Sequence, residues 1–167
     1  ARTPVADHLA RVENLLAPLR SRGTETLPLL AALDRVTAAE IASPIALPPF
    51  RNSQMDGFAV RASDIAEVPV TLPVVREIAA AAGEAGALEP GTAIRIMTGA
   101  PIPAGADAVV PVEDTTSSVE PAETTVTITR SRQAGEYVRE AGSDLAAGAV
   151  LLPAGQRLAS RHLAALA

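Results

Sequence analysis

The segment Leu47–Val60, LPPFRNSQMDGFAV, decides how the rest of the chain is read. Pro48-Pro49 fixes φ and removes two backbone donors, so the chain arrives extended and stiff. Asp56-Gly57 ahead of the apolar run Phe58-Ala59-Val60 reads as a turn followed by a strand, because glycine accepts positive φ and aspartate tolerates it. Between them, Asn52-Ser53-Gln54-Met55 is polar and has neither a helical nor a strand period. A stiff approach, a polar loop and a tight turn together present the Asp56 carboxylate.

A second segment echoes this design. In IRIMTGAPIPAGADAVVPVE, Ile94–Glu113, the run Ile94-Arg95-Ile96-Met97 reads as a strand that Thr98-Gly99-Ala100-Pro101 breaks, and Ala108–Val112 resumes an apolar run. Further candidate strands are Phe58–Ala62, Val68–Ile78, Ala93–Met97 and Thr125–Arg130, the last alternating Thr with apolar residues. Ala79–Gly86 reads as an Ala/Gly-rich loop and Thr115–Thr124 as a mobile hairpin loop.

Outside this strand-rich stretch the period is helical. Thr3-Pro4 is a helix start, and Val5, Leu9, Val12, Leu15, Leu16 and Leu19 follow on one stripe until Pro18 and Gly23 end it. A second helix is expected from Leu29 or Leu30 to Ile41. Near the end, Ala149–Leu152 reads as a short strand, and Ser160 as the cap of a helix through Leu166. The change of period at Pro48, and back near Arg139, predicts an α+β fold. A helical/mixed domain of residues 1–47 and 138–167 would carry an inserted β-rich lobe, residues 48–137. The chain starts without Met, and its last helix stops with the apolar side unfinished, so a trimmed piece of a longer protein is expected.

Composition narrows the function. Of 167 residues 48% are apolar but only 2% aromatic, so the core must be built from Leu, Val, Ile and Ala in thin layers. The net charge of −5 and the lack of any Lys/Arg run argue against nucleic acid as a partner. No apolar run reaches the length of a membrane span. The absence of Cys excludes disulfides and thiolate metal sites, and is compatible with a cytoplasmic protein. There is no Ser-His-Asp set, phosphate-binding P-loop, dinucleotide glycine motif or zinc spacing, and His8 and His162 are poor metal-ligand or base candidates.

LPPFRNSQMDGFAV, MTGAPIPAGADAVVPVE and REAGSDLAAG, in this order and spacing, resemble the N-terminal half of the molybdopterin molybdenumtransferases, the MoeA / gephyrin E-domain family. The resemblance runs from about Leu27 to the C-terminus. Two departures are visible: Arg51 stands where the family often has an acid, and Phe58 where it often has Tyr. The resemblance implies the same inserted-lobe arrangement, with further C-terminal domains holding most of the pterin pocket. It also implies the reaction: insertion of molybdate into adenylylated molybdopterin, with AMP released and Mg²⁺ required. The family is usually a homodimer, and some members serve as scaffolds that bind another protein. The fragment alone is expected to be inactive.

Each candidate residue has a plainer reading beside the functional one. Asp56 is either a turn aspartate bonding its own backbone or a Mg²⁺ ligand, and the resemblance favours the second. Thr98 either ends a strand or donates its hydroxyl to an anion, with the Gly99 and Ala100 N–H groups forming a nest beside it. Asp144 belongs either to ordinary turn chemistry or, through the family pattern matched at Arg139, Gly142, Asp144 and Gly148, to the site or a domain hinge. Arg139 would pair with Asp144 or with a phosphate. Ser53 and Gly57 would contact the substrate or an anion beside Asp56 and Asn52 would add a polar contact, although loop solvation explains Ser53 and Asn52 equally well.

Overall fold

The computed structural model describes residues 3–20, 23–80, 85–119 and 124–167. The fold is α+β. The chain forms two compact units, one of residues 1–41 and 152–167, the other of 42–151.

In the first unit, helix α1, Val5–Arg20, carries through Pro18 and keeps its apolar stripe in solvent, with Val5 86% and Leu15 72% exposed. The expected second helix is replaced by a single 3₁₀ turn, Leu29–Ala32. Asp34 leaves the helical region at φ 64°, and the chain then follows a distant partner. Asp34 N–H donates to Leu158 O (2.8 Å), Leu158 N–H to Arg35 O (2.8 Å) and Thr37 N–H to Gln156 O (3.0 Å). The buried Thr37 hydroxyl donates to Pro153 O (2.7 Å) and accepts Gln156 N–H (3.0 Å). These bonds outbid the helical period. The last helix, α2, Ser160–Leu166, is capped one residue earlier than expected, at Ala159, whose N–H donates to His162 Nδ1 (3.0 Å). That bond gives His162 a structural role.

The chain crosses into the second unit within β1, Ile41–Ala42, and returns within β10, Val150–Leu152. The second unit is organised by a six-stranded sheet. Its strands are β3, Gly57–Val60; β4, Val70–Ile78; β5, Ala93–Ile96; β6, Ala108–Pro111; β7, Thr115–Val119; and β8, Thr124–Ile128. Their order is β6-β3-β5-β4-β8-β7. All pairs are antiparallel except β4 with β5. β4 pairs β8 through Val70–Pro73, then shifts register between Val74 and Arg76 as it turns to β5. Pro73 is tolerated because it sits beside this irregularity.

β7 corrects the reading of Thr115–Thr124 as a hairpin loop: its first half is a strand in register with β8, Thr115↔Ile128 to Val119↔Thr124. The tip, 120–123, and the 81–84 part of the expected Ala79–Gly86 loop lie outside the described residues. Strand alternation sends Phe58, Val60, Val110, Leu72, Val126 and Ile128 to one buried cluster, and Ala59, Val109, Ile94 and Ile96 to another that Ala100 and Val138 join. β3 is therefore buried on both faces, and it carries the Asp56 turn at its start. A short ladder, β2, Asn52–Ser53, with β9, Val138–Arg139, lies beside it, joined through Asn52↔Arg139 and Ser53↔Val138.

Candidate functional site

The polar stretch before Asp56 is not a solvated loop. Asn52 and Ser53 are buried, 8% and 1% exposed, because each side chain closes its own local bonds. Asn52 Nδ2–H donates to Phe50 O (3.1 Å). The Ser53 hydroxyl donates to Met55 O (2.6 Å) and accepts Met55 N–H (3.2 Å), a side-chain-closed turn that aims the next residues. Ser53 therefore shapes the loop, and its one hydroxyl proton is engaged. Gln54 N–H donates to Tyr137 O (3.0 Å), with Tyr137 held at φ 56°.

Gly57 is required for a reason other than the turn read from the sequence. It is the first residue of β3, between Ile96 and Pro111, and a Cβ there would stand 2.1 Å from Val110 O. Close approach of two backbones, not positive φ, demands glycine here. Its place between two strands makes it a packing position, where an anion contact was expected.

The turn after β5 meets this loop at Asp56. Both the Thr98 N–H and the Thr98 hydroxyl donate to Asp56 Oδ1, each at 2.7 Å. Asp56 Oδ2 takes no partner among the described residues. Two donors on one oxygen favour the ionised form, and Arg95 adds a smaller favourable field, so the Asp56 carboxyl lies below its ordinary value even though desolvation pulls the other way.

This geometry revises the expected role of Thr98. Its single hydroxyl proton goes to Asp56, leaving oxygen lone pairs for a ligand rather than a donor for an anion. The expected nest fails for the same reason: Gly99 N–H donates to Ser53 O (2.8 Å) and Ala100 N–H to Met97 O (3.0 Å), and Ala100 is fully buried. Gly99 keeps the other part of its expected role. At φ 81°, nothing lies within 4 Å of a Cβ built there, so the backbone is open to close approach.

Asn52, Ser53, Gln54, Thr98, Gly99 and Arg139 line a cavity of about 310 Å³. Arg139 is the charged group among them, and its Nη2 donates to Asp144 Oδ2. Asp144 sits on a turn pinned to the segment before the site: Asp144 N–H donates to Leu47 O (2.9 Å) and Gly142 N–H to Pro48 O (2.9 Å). Beside it, Arg51 Nε–H donates to Glu140 Oε1 at 3.0 Å. That pair gives the departure at Arg51 a local partner. A wider depression of about 610 Å³ includes Asp64 and Glu67 but none of these residues, and Asp64 Oδ2 is already accepting Gly91 N–H (2.8 Å).

All the expected site residues thus fall in the second unit, with Asp56 against Thr98 and Arg139 against Asp144. Tyr137, which anchors Gln54, was missed, as was the contribution of Arg95 to Asp56. No spacing or composition signal in the sequence points to either.

Mg²⁺ usually takes one or two carboxylates and completes its shell with water and phosphate oxygens. The free Asp56 Oδ2, with the Thr98 hydroxyl oxygen at its side, fits that need. Among the described residues no group of three or more His, Asp or Glu gathers into a cage, and a cage is not what this ion requires.

The profile of the family described as MoeA N-terminal region (domain I and II) matches residues 3–167. A molybdopterin molybdenumtransferase 2 from Mycobacterium tuberculosis is 44% identical over 135 residues, which is 78% of this chain and 32% of that protein. The molybdopterin molybdenumtransferase of Synechococcus elongatus is 40% identical over 161 residues, 92% of this chain and 39% of that protein. The crystal structure of a molybdopterin biosynthesis MoeA protein from Pyrococcus horikosii superposes with a TM-score of 0.80 at 34% identity, covering 92% of this chain and 40% of that one. The chain therefore spans between about a third and two fifths of the length of these relatives. With the profile, the identities and the superposition in agreement, this chain belongs to the MoeA family as its N-terminal region.

Proposed function

We propose that this chain is the N-terminal part of a molybdopterin molybdenumtransferase, which inserts molybdate into adenylylated molybdopterin and releases AMP. The observation that carries this reading is the Asp56–Thr98 pair: one carboxylate oxygen is fixed by two donors from a single residue and the other is left open. The chain need supply little covalent chemistry. It must hold charge in place while a phosphoanhydride is cleaved and an oxyanion is delivered.

Asp56 Oδ2 would hold Mg²⁺ or a water bound to it, and the two Thr98 bonds to Oδ1 would keep that oxygen in a fixed direction. When bound, Mg²⁺ screens phosphate charge. Arg139 offers a planar cation to phosphate or molybdate oxygens, and Gly99 lets a substrate lie against the backbone. The turn that carries Asp144, pinned through its N–H to Leu47 O, would brace the far side. The remaining walls would come from the domains that relatives carry beyond this region, so the chain alone is inactive in this reading.

The test is the rate of molybdenum insertion by a full-length enzyme carrying this region. Asp56→Asn and Thr98→Ala should each reduce it, Asp56→Asn by on the order of 10²-fold. Wild-type rates in both would end the assignment. The alternative reading, an interaction or dimerisation module, draws on the exposed apolar stripe of α1. Retained self-association or protein capture, with no turnover in the full-length protein, would favour it.

A further inference from the structure

The cavity beside Asp56 has one guanidinium, and that guanidinium is already facing an anion. Arg139 lines the cavity and donates through Nη2 to Asp144, while its remaining N–H groups have no partner among the described residues. Several other donors at the cavity wall are engaged: the Ser53 hydroxyl with Met55, Gly99 N–H with Ser53, and both Thr98 donors with Asp56; the Gln54 and Asn52 amides are neutral and weaker donors to an anion than a guanidinium. An oxyanion entering this cavity finds its strongest donor at Arg139.

The Arg139–Asp144 pair is built to be exchanged. Its side chains are 43% and 52% exposed. A pair this wet changes an equilibrium by no more than about fivefold. The Asp144 backbone is tied down by its bond to Leu47 O, so the carboxylate can swing off the guanidinium by side-chain rotation alone. The neighbouring Arg51–Glu140 pair is a useful contrast. It joins the residue just before β2 to the residue just after β9 but does not line the cavity.

We propose that Asp144 is an internal stand-in anion: it occupies Arg139 until a tetrahedral oxyanion takes its place. The exchange breaks the Nη2–H···Oδ2 contact and forms two N–H···O contacts from the Arg139 fork to the incoming oxyanion. The released Asp144 carboxylate turns to solvent, and no covalent bond changes. Asp144 then sets a threshold, so that only an anion able to use the fork bidentately displaces it. The inference deepens the proposed function and rests on it only for naming molybdate as the oxyanion; the exchange itself holds for any tetrahedral dianion.

The experiment is calorimetric titration of this chain with sodium molybdate and, separately, sodium sulfate at constant ionic strength. The variants are Asp144→Asn, Arg139→Ala and Arg139→Lys, and the Arg139 Nε–H resonance is followed in parallel. Asp144→Asn should tighten both anions by about twofold to fivefold, with the Nε–H resonance shifting at lower anion concentration. Arg139→Ala should abolish binding, and Arg139→Lys should leave it weak and insensitive to Asp144→Asn. Equal or weaker binding in Asp144→Asn, undiminished binding in Arg139→Ala, or no binding to any form would overturn the proposal. Backbone amide spectra of each variant report whether the β2–β9 ladder is intact. Tighter sulfate binding in Asp144→Asn together with wild-type insertion in Asp56→Asn would keep the exchange and discard the assigned reaction.

Discussion

Two carboxylates are each bonded to a residue that lines one cavity, Asp56 to Thr98 and Asp144 to Arg139, and they are held in opposite ways. Asp56 is fixed by neutral donors, the Thr98 N–H and hydroxyl on a single oxygen, while Asp144 is met by the Arg139 cation. Neutral donors leave the Asp56 charge in force and one oxygen free for a cation. A cationic partner cancels the charge of Asp144 and makes it replaceable. Under the proposed function the same residue type would serve as a fixed ligand on one side and as an exchangeable counter-charge on the other, the choice being made by what donates to it.

The glycines beneath the two turns provide the largest expected effect. At Gly57 an added Cβ would meet Val110 O at 2.1 Å, a backbone atom that cannot swing aside. Gly57→Ala should destabilise the chain by about 3 kcal/mol or more, because overpacking here must separate β3 from β6. At Gly142, φ is 72° and the nearest atoms to a new Cβ are 3.6 Å away, so Gly142→Ala should cost only the left-handed backbone penalty, about 1–2 kcal/mol. Urea midpoints of the two variants check this, and a larger loss at Gly142 would reverse the ranking of the two turns.

The smallest stability effect is expected at Arg51. Its ion pair with Glu140 has side chains 43% and 62% exposed, so Arg51→Ala should change stability by at most about 1 kcal/mol. A double-mutant cycle with Glu140→Ala would measure the pair directly. A coupling well above that bound would mean that the β2–β9 ladder depends on it.

These turns also show what could be read from residues alone. Phe58-Ala59-Val60, Ile94–Ile96 and Ala108–Val110 were legible as strands because their β-branched and aromatic residues lie beside the breakers Gly57, Gly99, Gly105 and Pro111. The Asp56 turn was legible as a place but not as a mechanism. Nothing local to Gly57 reports the Val110 carbonyl from a strand fifty residues away, and nothing local to Gly99 reports that its N–H faces Ser53 O. Asn52 and Ser53 looked solvated because polarity suggests water, yet their short side chains satisfy themselves within two residues and can be buried. Residues 33–41 carried a helical period that lost to bonds with 153–158, and β7 is a strand only because β8 pairs with it.

The central claim is that Thr98 aims the Asp56 carboxylate and lowers its pKa through two donors on one oxygen. The Asp56 folded-state pKa is depressed, so the stability that the pair contributes is present above the unfolded value of 3.8 and is lost as pH falls through the folded value. The most direct measurement is a ¹³C titration of the Asp56 carboxyl in this chain and in Thr98→Val, which removes the hydroxyl donor but keeps the N–H. The account predicts a midpoint below 3.8 that moves upward, but not fully to the ordinary aspartate value, in the variant. An Asp56 midpoint that is ordinary in the parent chain, or unmoved by Thr98→Val, would contradict it.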